Sequence, residues 1–180
     1  MNPALNLLSN RQIMNGSFDP VGLVNTYGAF GSVGKERYEV VLEGTRDPVP
    51  SDAAPWREYN FVCKPGNVMT RPCVISPFQP RLDWQIWFAA MSDYRENPWL
   101  VYLVYKLLQG DRAVLGLLGP DPFPEAPPRF IRAALYRYRF PPPEDRTAAW
   151  WLREKVGAYL PPLSLGDPAL RRFAKAYSGR

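Results

Sequence analysis

Proline sets the outline of this chain. There are 21 prolines in 180 residues. Each one fixes φ and removes a backbone donor, so proline is poorly tolerated inside a helix or a central strand. They recur through 46–55, 64–79, 120–128 and 141–144. Regular elements have to fit between these stretches, which predicts several ordered, proline-studded connections around the core. The rest of the composition supports such a core. Hydrophobic residues make up 46% and charged residues 22%, which excludes wholesale disorder, and the length suits one domain.

The segments between the prolines carry readable periods. Residues 23–30, LVNTYGAF, predict a strand, followed by the turn Gly31–Gly34. Residues 37–45, RYEVVLEGT, alternate polar and apolar and predict a second strand, so the two make a hairpin. Residues 56–63 predict a third, with Tyr59, Phe61 and Cys63 on the core side and Arg57 excepted at the strand's start. Three helices follow. One spans 81–94 on a stripe of Trp84, Trp87, Met91 and Tyr94. One spans 97–109, opened by Asn97-Pro98 and closed by Gly110. A short third helix runs from an Asp111 cap through Leu118. Residues 129–140 predict a long strand, 150–160 another, and Asp167 caps a last helix to about Tyr177. The expectation is an α+β fold: an antiparallel, sandwich-like sheet of about five strands, an insertion of about three helices, and a C-terminal helix. Residues 1–22 are expected to be a lead-in and 23–180 one domain.

The absence of histidine narrows the chemistry. It removes Ser-His-Asp and Cys-His catalysis and the commonest metal ligand, and two cysteines alone cannot build a structural zinc site. No metal and no cofactor is expected. Carboxylate chemistry survives: Glu39 and Glu43 share one face of a predicted strand and could serve a hydrolase acting on glycans or lipids. Against this, charged residues at alternate positions usually mark the solvated face of a sheet. Asp83, beside Arg81, reads as a helix-start charge pair well placed for the helix dipole. The net charge of +5 is mild, and its basic residues are interleaved with acids. Even the densest group, Arg132, Arg137 and Arg139, falls short of the concentrated face that nucleic acid needs, so no nucleic-acid partner is expected. Gly22, Gly28, Gly31 and Gly34 match no phosphate-loop spacing and read as turn and packing glycines.

Cys63 and Cys73 flank a proline loop. Their spacing is too long for a Cys-x-x-Cys redox site, and the readings left are a structural disulfide, two free thiols, or a redox pair. A bridge would close a loop of about 11 residues, worth about 3 kcal/mol in the chain-entropy account, and would place the domain in an oxidising compartment. Trp150 and Trp151 are adjacent on a predicted strand, so their rings point to opposite sides. One must face outward or into another layer, as core packing, a binding hot spot beside Arg153, or a sugar-stacking platform. With Tyr136 and Tyr138, these residues are the expected contact surface for a partner protein.

Several long motifs occur together in order: LVNTYGAFGSVGKERYEVVLEGT, WREYNFVCKPGNVMTRPC, SPFQPRLDWQIWFAA, YRYRF and WWLREKVGAYLPPLSL. In that order they resemble the lipase maturation factor family, from about Asn15 onward. The resemblance implies the C-terminal, luminal region of a polytopic membrane protein. In animals such proteins reside in the endoplasmic reticulum and help homodimeric lipases become active. It implies a client-binding, non-catalytic domain whose partners are a lipase-like client and, through transmembrane helices outside this stretch, the membrane. The start of the sequence has no signal-peptide pattern and no apolar run long enough to span a bilayer, as expected if upstream helices handle export. The Arg, Ala and Pro content also fits a bacterial member, facing the extracytoplasmic side, with a client that need not be a lipase. A purely structural domain of the membrane protein is the remaining alternative.

Overall fold

The computed structural model describes residues 36–74 and 80–179. They form one antiparallel sheet of four strands with helices as its partner layer, the α+β arrangement expected. In chain order the strands are β1 (Arg37–Thr45), β2 (Arg57–Tyr59), β3 (Phe130–Arg139) and β4 (Leu152–Leu163), and their spatial order is β2-β1-β3-β4. The helices are α1 (Arg81–Ala89), α2 (Pro98–Leu108), α3 (Arg112–Leu115) and α4 (Pro168–Ser178), with a 3-10 turn at Tyr94–Glu96. The expected strand at 23–30, its hairpin with β1, the four glycines between 22 and 34, and the lead-in at 1–22 lie outside the described residues.

β1 is the central strand, and its alternation decides what each face meets. Val40, Leu42 and Gly44 pair with Leu135, Ala133 and Ile131 of β3. Residues directly opposite each other share a face, so this side of the sheet is apolar. Ile86 of α1, Leu100, Leu103, Val104 and Leu107 of α2, and Leu170 of α4 complete the core against it, together with Leu160 of β4. Most of the fold's stability comes from this layer, since a buried Leu or Ile contributes about 1.5–3 kcal/mol. α2 sits at its centre. Pro98 takes the first helical position, where its missing N–H costs nothing. The exit is a Schellman close: Gly110, at φ 67°, donates its N–H to Leu107 while Asp111 donates to Lys106. That left-handed position suits glycine.

Several elements are shorter than their periodicity implies. Only Arg57–Tyr59 pair as β2, not 56–63. The chain leaves the sheet at Asn60, whose carbonyl accepts the Gly119 N–H. The N–H groups of Cys63 and Lys64, which a longer ladder would use, go to Asp83 Oδ1 at 2.5 and 2.8 Å. α1 ends at Ala89, and its buried stripe is Asp83, Ile86 and Ala89, not Trp84, Trp87 and Met91. Asn97 stands at the start of α2, yet its side chain donates to Ser92 Oγ and the Asp93 carbonyl instead of capping the helix. Asp111 and Asp167 cap as expected through a carboxylate oxygen, Asp111 accepting two backbone N–H groups and Asp167 one. α3 is a single turn.

Candidate functional site

The second face of the sheet carries the polar positions of the same strands. Glu39 and Glu43 of β1 lie opposite Tyr136 and Arg132 of β3, and Glu43 also lies opposite Glu58 of β2. Two like charges across a ladder repel, and here each has its own guanidinium. Arg132 meets Glu43 at 2.7 Å and Arg153 of β4 grips Glu58 through two bonds of 2.9 and 2.7 Å. Tyr136 donates to Glu43, and Arg153 lies over the Tyr136 ring at 4.9 Å. Glu39 is fully buried between Arg37 at 2.6 Å and the Lys64 ammonium at 3.3 Å. The charged positions of β1 therefore do not mark a solvated face. Each carboxylate is matched to a cation, and the face is covered.

At the Glu43 end Asp52 and Trp56 meet Arg132, and at the Glu39 end the cover is the loop that follows β2. Cys63 and Cys73 form a disulfide, with Cα atoms 5.3 Å apart, which settles the choice among their readings in favour of a bridge. Three further ties hold the loop. Asp83, in the first turn of α1, binds the Cys63 and Lys64 amides. Tyr138 donates its hydroxyl to the Gly66 carbonyl at 2.9 Å. Trp150 and Trp151 both donate backbone N–H groups to Val68, and the Trp151 indole N–H reaches the Thr70 carbonyl. Lys64 is pulled into this interior, where loss of water lowers its pKa and the neighbouring Glu39 opposes that shift. Burial raises the Tyr138 hydroxyl to about 12, with Arg153 pulling the other way.

The expected contact residues thus separate. Trp151 and Tyr138 are buried, their rings edge-on at 6.2 Å, and Trp151 stacks on Phe140 at 4.6 Å. A direct contact with a partner through either would need the loop to open. Tyr136 and Arg153 are half-buried members of the ion-paired face. Trp150 is 44% exposed, with Arg71 over its ring. Around it the structure adds residues that periodicity did not single out. Of ten large hydrophobic side chains exposed among the described residues, five fall on the two segments tied together here: Val62, Met69 and Val74 on the bridged loop, and Phe140 and Trp150 on the β3–β4 connection. Single exposed apolar residues are ordinary; these five are notable for falling on two segments that are tied to each other. Arg132 and Arg137, the centre of the basic group, are engaged by Glu43, Asp52, Glu36 and Glu154.

Between the loop and α1 lies a cavity of about 530 Å3, lined by residues of both and by Trp151. Among the described residues, no group of three or more Cys, Asp or Glu gathers in a form that could hold a metal ion, and no helix is long and apolar enough to cross a membrane.

A family model described as the lipase maturation factor C-terminal domain matches residues 23–161. Lipase maturation factor 1 of Mus musculus is 52% identical over 168 residues, covering 91% of this chain and 29% of that protein. Lipase maturation factor 1 of Homo sapiens is also 52% identical, over 91% of this chain and 30% of its own length. Lipase maturation factor 2 of Homo sapiens is 40% identical over 170 residues, 90% of this chain and 23% of its own length. The chain spans less than a third of the curated relatives it matches. No solved structure matches it.

Proposed function

The chain belongs to the lipase maturation factor family, and we propose that it is the client-holding, non-catalytic domain of a protein that helps secreted lipases mature. The observation that carries the reading is the exposure of Val62, Met69, Val74, Phe140 and Trp150 on two segments joined to each other and braced by a disulfide. Such a surface can hold apolar segments of a folding intermediate and keep them from aggregating. Trp150, aromatic and backed by Arg71, is its anchor, since binding energy concentrates in such residues. Of the contact residues expected from sequence, Trp151, Tyr138, Tyr136 and Arg153 hold the platform beneath it. The disulfide supports an oxidising compartment, which for animal members is the lumen of the endoplasmic reticulum and for a bacterial member the extracytoplasmic side. Attachment to the membrane would come from parts of the longer relatives that this chain does not span.

The reading as a carboxylate-dependent hydrolase draws little from Glu39 and Glu43. General acid–base work needs one carboxyl group kept protonated beside a second that is ionised, whereas each of these faces its own cation. The client-holding reading is tested by replacing Trp150 and Phe140 with alanine in the full-length membrane protein. Yield of active secreted lipase is the readout, with expression and the disulfide checked. A loss of several-fold is expected; undiminished yield contradicts the assignment of this surface.

A further inference from the structure

We propose that the seam between α2 and α4 is a surface that lies on an anionic lipid bilayer. α4 buries Leu170 and Ala174 against the core. At about 100° per residue, Phe173 and Tyr177 fall on one flank of that buried stripe, and Arg171, Arg172 and Lys175 fall on the exposed arc. The helix carries no acid along Pro168–Ser178. None of its three cations has an ion-pair partner among the described residues, whereas Arg95 and Lys106 on the neighbouring elements pair with Asp93 and Asp111. The aromatic flank continues onto α2. Phe173 stacks on Tyr177 at 5.6 Å, Tyr177 meets Tyr102 at 4.9 Å, and Tyr102 meets Tyr105 at 6.1 Å. These rings are half-buried, and the hydroxyls of Tyr102 and Tyr177 have no hydrogen-bond partner among the described residues. Beside the rings a groove of about 310 Å3 opens between Pro98 and Val101 of α2, Phe173 of α4 and Leu163 of β4. Asp167 also lines it, and its carboxylate accepts the Ala169 N–H as the cap of α4.

Each part fits one layer of a bilayer surface. Tyrosine rings with free hydroxyls sit where acyl chains give way to headgroups, because ring and hydroxyl are then both served. An amphipathic helix with a cationic face lies in that same plane, its cations against anionic headgroups. The groove takes a stretch of acyl chain. A second copy of the chain is a poorer occupant, since it would set like cations against each other. Membrane attachment through the rest of the longer protein, as proposed above, would let even a weak contact count, because tethering raises the effective concentration. β4 runs from the Trp150–Trp151 connection to Leu163, and its 12 residues put its two ends about 35 Å apart. A domain lying on α4 therefore holds Trp150 away from the bilayer. The bilayer contact itself is independent of the client-holding reading, because it shares no residue with that surface.

The test is binding of the oxidised, isotope-labelled chain to lipid vesicles at low salt, read by sedimentation and by NMR with a paramagnetic headgroup lipid. The probes are phosphatidylcholine vesicles with and without about one-third phosphatidylglycerol. The chain should bind the anionic vesicles and release as salt rises. Signal should be lost first at Tyr102, Phe173, Tyr177 and the α4 amides, with Trp150 and Val68 spared. Arg171→Gln, Arg172→Gln and Lys175→Gln together should weaken binding about a hundredfold, at about fivefold per cation. All three positions are exposed, so the rest of the variant's spectrum should be unchanged. No binding to the anionic vesicles, undiminished binding of the variant, or signal loss centred away from α4 overturns the proposal. So does equal binding to pure phosphatidylcholine, or tighter binding of a glutamate-rich peptide than of the vesicles, which would make the partner a protein.

Discussion

Lys64 and Glu39 meet in the interior of the polar face, each almost without exposure, with Arg37 as the outer partner of the carboxylate. Removing one member of a buried pair strands the other, which costs more than the pair itself contributes. Lys64→Met is therefore expected to destabilise the fold by about 3 kcal/mol, and Glu39→Gln combined with it to recover most of that loss; urea midpoints of the two variants check this. Tyr138 makes a second prediction, in pH. Its pKa in the fold, about 12, lies above its ordinary value of 10.0, so the fold favours the neutral hydroxyl. That contribution is fully present below the unfolded value and is lost as pH rises through the folded one. Tyr159, raised by burial to about 12 and donating to the Ala89 carbonyl, acts in the same sense. Stability should fall between about pH 10 and about pH 12, and Tyr138→Phe should flatten that fall while costing about 1 kcal/mol at pH 8. Phenolate absorbance that titrates well before unfolding would contradict it. None of this was legible in sequence. Glu39 and Glu43 read as a solvated edge because a strand's alternation says which residues share a face, not what covers that face.

At the scale of elements, what sequence could resolve depended on how local the causes were. β1, β3, β4, α2 and α4 follow from alternation, apolar stripes and proline or glycine punctuation within their own segments, and they emerge close to their expected bounds. The failures lie where a distant residue competes for backbone groups. β2 stops at Tyr59, and Asp83, 20 residues beyond Cys63, takes the amides of Cys63 and Lys64 that a longer strand would have used. α1 turns a different side inward because Asp83, held by the Cys63 and Lys64 amides, is buried on the same side as Ile86 and Ala89. Of the proposed contact surface, sequence singled out Trp150 by its adjacency to Trp151, while Met69 and Phe140 are brought in only by the ties at Val68 and Thr70. Those ties make the bridged loop a unit whose loss can be measured. Replacing Cys63 and Cys73 with serine should cost about 3 kcal/mol and raise amide exchange at Cys63 and Lys64, with α2 unaffected in local exchange. Gly110→Ala probes the other cap. A Cβ there would lie 2.7 Å from Pro127 at a φ of 67°, and a loss of about 1 kcal/mol or more in urea unfolding is expected.

Taken whole, the domain is a sheet with two unlike faces. One is apolar and sealed by helices, and gives the fold its stability. The other is a set of matched charges partly under a disulfide-braced loop, and Tyr138, Trp150 and Trp151 tie that loop to β3 and the β3–β4 connection. Under the proposed reading, a chain without histidine and with ion-paired carboxylates carries its function through recognition. The most direct test is hydrogen–deuterium exchange on this chain with and without an unfolded lipase polypeptide. The account predicts new protection confined to residues 62–74 and 140–151. Protection centred instead on α4 and the Leu163 end of β4, or none anywhere while the lipase remains bound, would contradict it.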